Sequence, residues 1–107
     1  MRDKERLDPS DSITIVKEYF INNFSKYKIG KEGIYMGYWW IEYYDDANNL
    51  KVYFDGDVGG HFHIKIYLKE DEYFLWQYDK KVNQMTKSTR QNLLNQLKIL
   101  NQFLNNS

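Results

Sequence analysis

The chain has 107 residues, no cysteine, and 15 acidic side chains balanced by 15 Lys and Arg. That excludes disulfides, thiolate metal sites and a cysteine nucleophile, and it leaves no bulk charge to attract nucleic acid or anionic lipid. The length suits a single domain, residues 1–107, with one core held by packing alone.

The opening MRDKERLDPSDS is charged and carries no apolar signal-peptide segment. No apolar run approaches the roughly 20 residues of a membrane span, so the expectation is a soluble, cytoplasmic protein with no membrane partner. Residues 1–11 read as a flexible lead, with Ser10, Asp11 and Ser12 available as helix caps. Ile13, Val16, Phe20, Phe24 and Tyr27, broadened by Ile15 and Tyr19, recur at spacings of three and four. This predicts an amphipathic helix from Ser12 to Lys28, stopped at Gly30.

At Ile34 the period changes to two, and residues 34–44 are expected to form the first strand. DDANN, 45–49, supplies turn residues. In LKVYFD, 50–55, Leu50, Val52 and Phe54 face one way and Lys51, Tyr53 and Asp55 the other. After the glycine-marked loop 56–60, HFHIKIYL repeats the alternation, with Phe62, Ile64, Ile66 and Leu68 inward. KEDE, 69–72, reads as a charged turn and YFLWQY, 73–78, as a fourth strand. A second helix follows, capped by Thr86 or Ser88, with Leu93, Leu97, Leu100 and Leu104 as its stripe, Leu94 and Phe103 beside them, and a frayed end at 105–107. The expected fold is therefore α+β: a four-stranded antiparallel meander with N- and C-terminal helices (α-β-β-β-β-α) forming a two-layer sandwich.

In GYWWIEYYDD, alternation sends Trp39, Ile41 and Tyr43 to one face and Tyr38, Trp40, Glu42 and Tyr44 to the other. The second set joins Lys51, Tyr53, Asp55, His61, His63, Lys65 and Tyr67 on an open face. Rings there either pair across strands, for roughly 0.2 to 1 kcal/mol per pair, or grip a partner, since exposed Trp and Tyr concentrate binding energy at interfaces. The charge map adds a bias: nine acidic residues stand against three lysines from Tyr35 to Asp79, and five basic residues against none from Lys80 onward.

Motifs for chemistry are sparse. His61 and His63 share a strand face and would bridge a divalent metal only if Asp55 or Asp57 closed the site. DGDVGG opens like a calcium loop, but Ile66 stands where the closing glutamate belongs. No nucleophile elbow or phosphate-cradling loop is present, leaving His63 with Asp55 or Glu42 as the sole acid–base pairing to weigh. The expectation is no enzyme, no metal and no cofactor. Lys80, Lys81, Lys87 and Arg90 could touch phosphates at the start of the last helix, which gives the alternative of a regulatory or nucleic-acid-binding domain.

The stretches GYWWIEYYDD and LKEDEYFLW, in a small Lys/Asn/Tyr-rich chain without cysteine or catalytic motif, resemble the small bacterial immunity proteins that accompany secreted polymorphic or contact-dependent toxins. The resemblance is one of general character over residues 12–104. It implies a cognate protein toxin, often a basic nuclease, occluded by an acidic surface whose carboxylates replace substrate phosphates. No residue is carried over by motif. On physical grounds the partner-binding surface is expected at Trp40, Glu42, Tyr44, Asp45 and Asp46, surrounded by Tyr53, Asp55, Asp57, Tyr67, Glu70, Asp71 and Glu72. The same aromatic sheet would equally serve a homodimer.

Overall fold

The computed structural model describes residues 6–105. Helix α1 (Pro9–Asn23) leads into strands β1 (Lys28–Tyr35), β2 (Tyr38–Asp45), β3 (Leu50–Gly56), β4 (Phe62–Leu68) and β5 (Asp71–Phe74). A single helical turn, α2 (Leu75–Tyr78), and a long helix, α3 (Arg90–Asn105), follow, with 3-10 turns at Asp46–Asn48 and Lys80–Gln84. The strands form one antiparallel sheet whose spatial order is the chain order. The fold is thus α+β with flanking helices, and the sheet has five strands rather than four.

The additional strand begins at Lys28, the expected end of the first helix, runs through the expected stop at Gly30, and takes in Ile34 and Tyr35 from the expected first strand. Helix α1 begins three residues earlier, with Pro9 in its first turn where a missing N–H costs nothing, and closes at Phe24, whose N–H donates to Phe20 O at 2.8 Å. Lys28–Tyr35 then pairs along β2, with a register shift between Ile29 and Lys31. Gly30 therefore sits at a bulge in a strand, not at a helix stop. Met36 (φ 49°) and Gly37 (φ 88°) make the two-residue connection between the register partners Tyr35 and Tyr38. Two successive left-handed residues match the twist of a hairpin, which breaks the expected 34–44 strand in two.

The fourth expected strand also changes. Asp71 and Glu72 belong to β5 rather than to a turn, and the turn itself is Lys69 (φ 60°) and Glu70. After Phe74 the backbone coils, because Gln77 Oε1 accepts from Phe74 N at 2.8 Å and Asp79 N donates to Leu75 O. Coiling carries Leu75 into the core and leaves Trp76 and Tyr78 outside. Helix α3 starts at Arg90, where Thr89 Oγ1 accepts from Asn92 N at 3.2 Å; Thr89, not Thr86 or Ser88, is the cap.

One apolar cluster ties these elements together. It contains Ile13, Val16 and Phe20 of α1, Trp39, Ile41 and Tyr43 of β2, the inward residues of β3 and β4, and Leu93, Leu97 and Leu100 of α3. Burial alternates along β2, β3 and β4 as the sequence periodicity predicts, so one sheet face enters the core and the other does not. Of the expected lead, residues 1–5 lie outside the described residues. Arg6 bridges Thr89 and Leu7 N donates to Ser88 O at 2.7 Å, tying residue 6 onward to the segment before α3. Residues 106 and 107 of the expected frayed end are likewise outside the described residues, and Asn105 closes α3.

Candidate partner-binding face

Register and alternation define the open face. From β2 it carries Tyr38, Trp40, Glu42 and Tyr44; from β3, Lys51, Tyr53 and Asp55; from β4, His63, Lys65 and Tyr67. Strand β1 adds Lys28, Lys31, Gly33 and Tyr35, and β5 adds Glu72 and Phe74. Four lysines thus face three carboxylates, which does not make the acidic surface expected from the run Tyr35–Asp79. Two of those lysines, Lys28 and Lys31, lie on the strand that the periodicity did not reveal.

The expected acidic residues do not assemble either. Asp45 points to the buried side of the sheet and is 7% exposed. Its Oδ2 accepts from Asn48 Nδ2 at 2.7 Å and lies 3.5 Å from Lys26 Nζ. The Asn48 hydrogen bond, together with the Lys26 cation, holds its carboxyl below the usual range. Asp45 is therefore an internal anchor for the β2–β3 connection and leaves the partner-binding set. Asp46, Glu70 and Asp71 are exposed at the sheet end formed by the β2–β3 and β4–β5 connections. Asp55 and Asp57 occupy the opposite end, five strand steps or ~17 Å from Leu50 to Asp55. Asp57 is also committed to its turn, since its Oδ1 accepts from His61 N at 3.0 Å. Glu72 pairs with Lys65 at 3.1 Å, and that hydrogen bond is the main reason the Lys65 ammonium is held above its ordinary range.

The residues the fold does bring together are Glu42, Tyr53 and Tyr67. With Lys31, Asn49, Lys51 and Lys69 they line a shallow cleft of about 450 Å³ on the open face. Lys31 Nζ stands 5.5 Å from the Tyr53 ring centroid, within cation–π range. Burial, then the charges of Asp55 and Glu42, raises the Tyr53 phenol. Trp40 and Tyr44 border this region, both half-buried, and each lies close to a glycine of β1: Trp40 to its register partner Gly33, Tyr44 to Gly30 at the bulge. A Cβ on Gly33 would lie 2.4 Å from Trp40 Cζ2, and one on Gly30 would meet Glu42 Oε1 at 2.7 Å and Tyr44 Cδ1 at 3.4 Å. The aromatic run is thus partly a device for covering glycines on the neighbouring strand.

His61 and His63 have different surroundings. His61 Nδ1 lies 2.9 Å from Thr86 Oγ1 and its backbone bridges Lys87, so the ring is engaged with the C-terminal segment. His63 stands opposite Asp55 in the β3–β4 register, both exposed. Among the described residues no group of three or more His, Asp or Glu side chains could hold a metal ion, and no helix is long and apolar enough to cross a membrane. The basic residues of the tail are dispersed: Lys80 and Lys81 lie on the 3-10 turn, Lys81 beside Asp79 at 3.7 Å, and Arg90 opens α3. No protein-family model, curated protein or solved structure matches the chain significantly.

Proposed function

We propose that the chain is a noncatalytic protein-binding module of the immunity-protein kind, acting in the cytoplasm, which neutralises a cognate toxin through the open face of its sheet. In this reading α1 and α3 form a second layer over the opposite face and leave this one free. The observation that carries it is the cleft bordered by half-buried Tyr53, Tyr67, Trp40 and Tyr44. These rings are already ordered by neighbouring strands, so a partner that desolvates them loses little side-chain entropy. The contact set is Trp40, Glu42, Tyr44, Tyr53 and Tyr67, with Asp46, Glu70 and Asp71 at one rim and Asp55 at the other.

The test is capture from lysate of the native cells with the wild-type chain and with a Tyr53→Ala, Tyr67→Ala variant that retains its circular dichroism spectrum. The reading requires one stoichiometric protein, lost with the variant, that arrests growth when expressed alone and is harmless when co-expressed with this chain. A captured protein that binds both forms equally, or that has no toxicity to neutralise, would overturn it.

A further inference from the structure

The cleft on the open face has a charge pattern that the whole-chain balance conceals. Lys31, Lys51 and Lys69 line it, reaching it from β1, β3 and the β4–β5 connection, and Glu42 is the only carboxylate among its lining residues. All three lysines are exposed, and among the described residues none of them forms an ion pair, whereas Lys17, Lys26, Lys65 and Lys81 do. Beyond the cleft the sign reverses, with Asp46 and Glu70 exposed on the same connections that deliver Asn49 and Lys69, and Asp71 exposed at the start of β5. Asn49 O accepts from Lys69 N at 2.9 Å, which holds those two turns side by side.

We propose that this cleft seats a carboxylate-bearing segment of the protein partner, an Asp or Glu side chain entering between Lys31, Lys51 and Lys69 over the Tyr53 and Tyr67 rings. Three cations around one anion leave unmatched positive charge that a carboxylate neutralises with charge-assisted hydrogen bonds. The acidic rim selects against a long polyanion, whose regularly spaced phosphates would meet Asp46, Glu70 and Asp71. A protein segment with an acidic centre and basic flanks satisfies both signs. The inference rests on the binding-module reading above and assigns the chemistry of the partner's contact: acidic at the centre, although the partner as a whole is free to be basic.

The experiment is a two-dimensional NMR titration of the isotopically labelled chain with an acetylated, amidated peptide Lys-Gly-Glu-Asp-Glu-Gly-Lys. The expected result is saturable amide shifts centred on Lys31, Lys51, Tyr53, Tyr67 and Lys69. Affinity should fall about fivefold for each of Lys31→Ser, Lys51→Ser and Lys69→Ser, and further as salt is raised. Absence of shifts, shifts spread over lysines elsewhere such as Lys17 and Lys98, or tighter binding of hexathymidylate at the same residues would each overturn the proposal. The triple serine variant is then tested against the captured partner. Unchanged binding by the serine variant, with loss in Tyr53→Ala, Tyr67→Ala, would refute the acidic-segment inference and leave the binding module standing. Failure of every form to bind a partner would refute the module itself.

Discussion

Trp39 lies against its register partner Gly56 so closely that a Cβ built there would fall 1.8 Å from the indole Nε1. The next residue repeats the relationship on the other side of the sheet, where Trp40 covers its own register partner, Gly33. Adjacent tryptophans thus cover glycines on the two neighbouring strands, one in the core and one on the open face. A glycine in a strand lacks a side chain to pack, and a ring from the opposite strand fills that space.

The two glycines should respond differently to alanine. Trp39 is 2% exposed and enclosed by the core, so its indole has nowhere to move when Gly56→Ala inserts a methyl group. Overpacking of this kind costs about 1–3 kcal/mol. Trp40 is half-buried and can swing outward, so Gly33→Ala should cost less than half as much. Urea unfolding followed by circular dichroism measures both, and equal losses would contradict the difference in confinement.

Asp45 gives a pH prediction. Its carboxyl ionises below the ordinary 3.8 because Asn48 donates to it, helped by Lys26. Between the folded and unfolded values the unfolded chain binds more protons, so stability rises with pH across that window. The contribution is fully present above about 3.8 and is lost as pH falls through the folded value. In Asp45→Asn, acid unfolding monitored from pH 5 to pH 2 should lose part of its slope, with little change in the slope above pH 5. An unchanged acid limb would show that the Asn48 contact contributes nothing to stability.

Tyrosines give the opposite linkage at high pH. Burial, aided by the charge of Asp45, pushes Tyr27 to about 12, and burial with the charge of Glu32 pushes Tyr43 to about 12. The folded chain therefore retains protons that the unfolded chain has lost between 10 and 12. Stability is intact below pH 10 and falls as pH rises toward 12. Ultraviolet titration at the phenolate band should show a late fraction among the ten tyrosines. Tyr43→Phe should remove one late proton and flatten the alkaline loss while preserving the stack on Phe20, whose centroid lies 3.7 Å away.

Much of the fold was legible because burial leaves a period in the sequence. Alternation correctly divided β2, β3 and β4, and the three-four spacing found Ile13, Ile15, Val16 and Phe20 of α1 and Leu93, Leu97 and Leu100 of α3, though not the buried Gln96 and Ile99. Strand β1 escaped because almost every residue in it is exposed, so neither a two-residue nor a helical period exists to detect. Gly30 reads as a helix stop in the sequence, whereas it and Gly33 accommodate side chains of β2. The site followed from that omission. Without β1, the lysines at 28 and 31 had no face, and the carboxylates 45, 46, 55 and 57 were summed as neighbours although the sheet puts them at opposite ends or inside. Leu75 failed for a different reason: YFLWQY alternates well enough for a strand, but the Phe74–Gln77 hydrogen bond favours a helical turn.

The β1–β2 hairpin also carries a correctable strain. Met36 holds φ at 49° and is 75% exposed, so it bears the cost of a left-handed backbone while packing little. Asn tolerates that region and is favoured with a following Gly in two-residue hairpins. Met36→Asn should therefore stabilise the chain by about 0.5–1 kcal/mol, seen as a higher urea midpoint at unchanged slope. The gain should come without altering the affinity of the cleft, since Met36 and Gly37 occupy the β1–β2 turn at the opposite end of the sheet from Asn49 and Lys69. A variant no more stable than the wild type would mean that Met36 makes a compensating contact or that the turn is not left-handed at this residue. The two are separable by Met36→Gly, which relieves the backbone whatever the side chain touches.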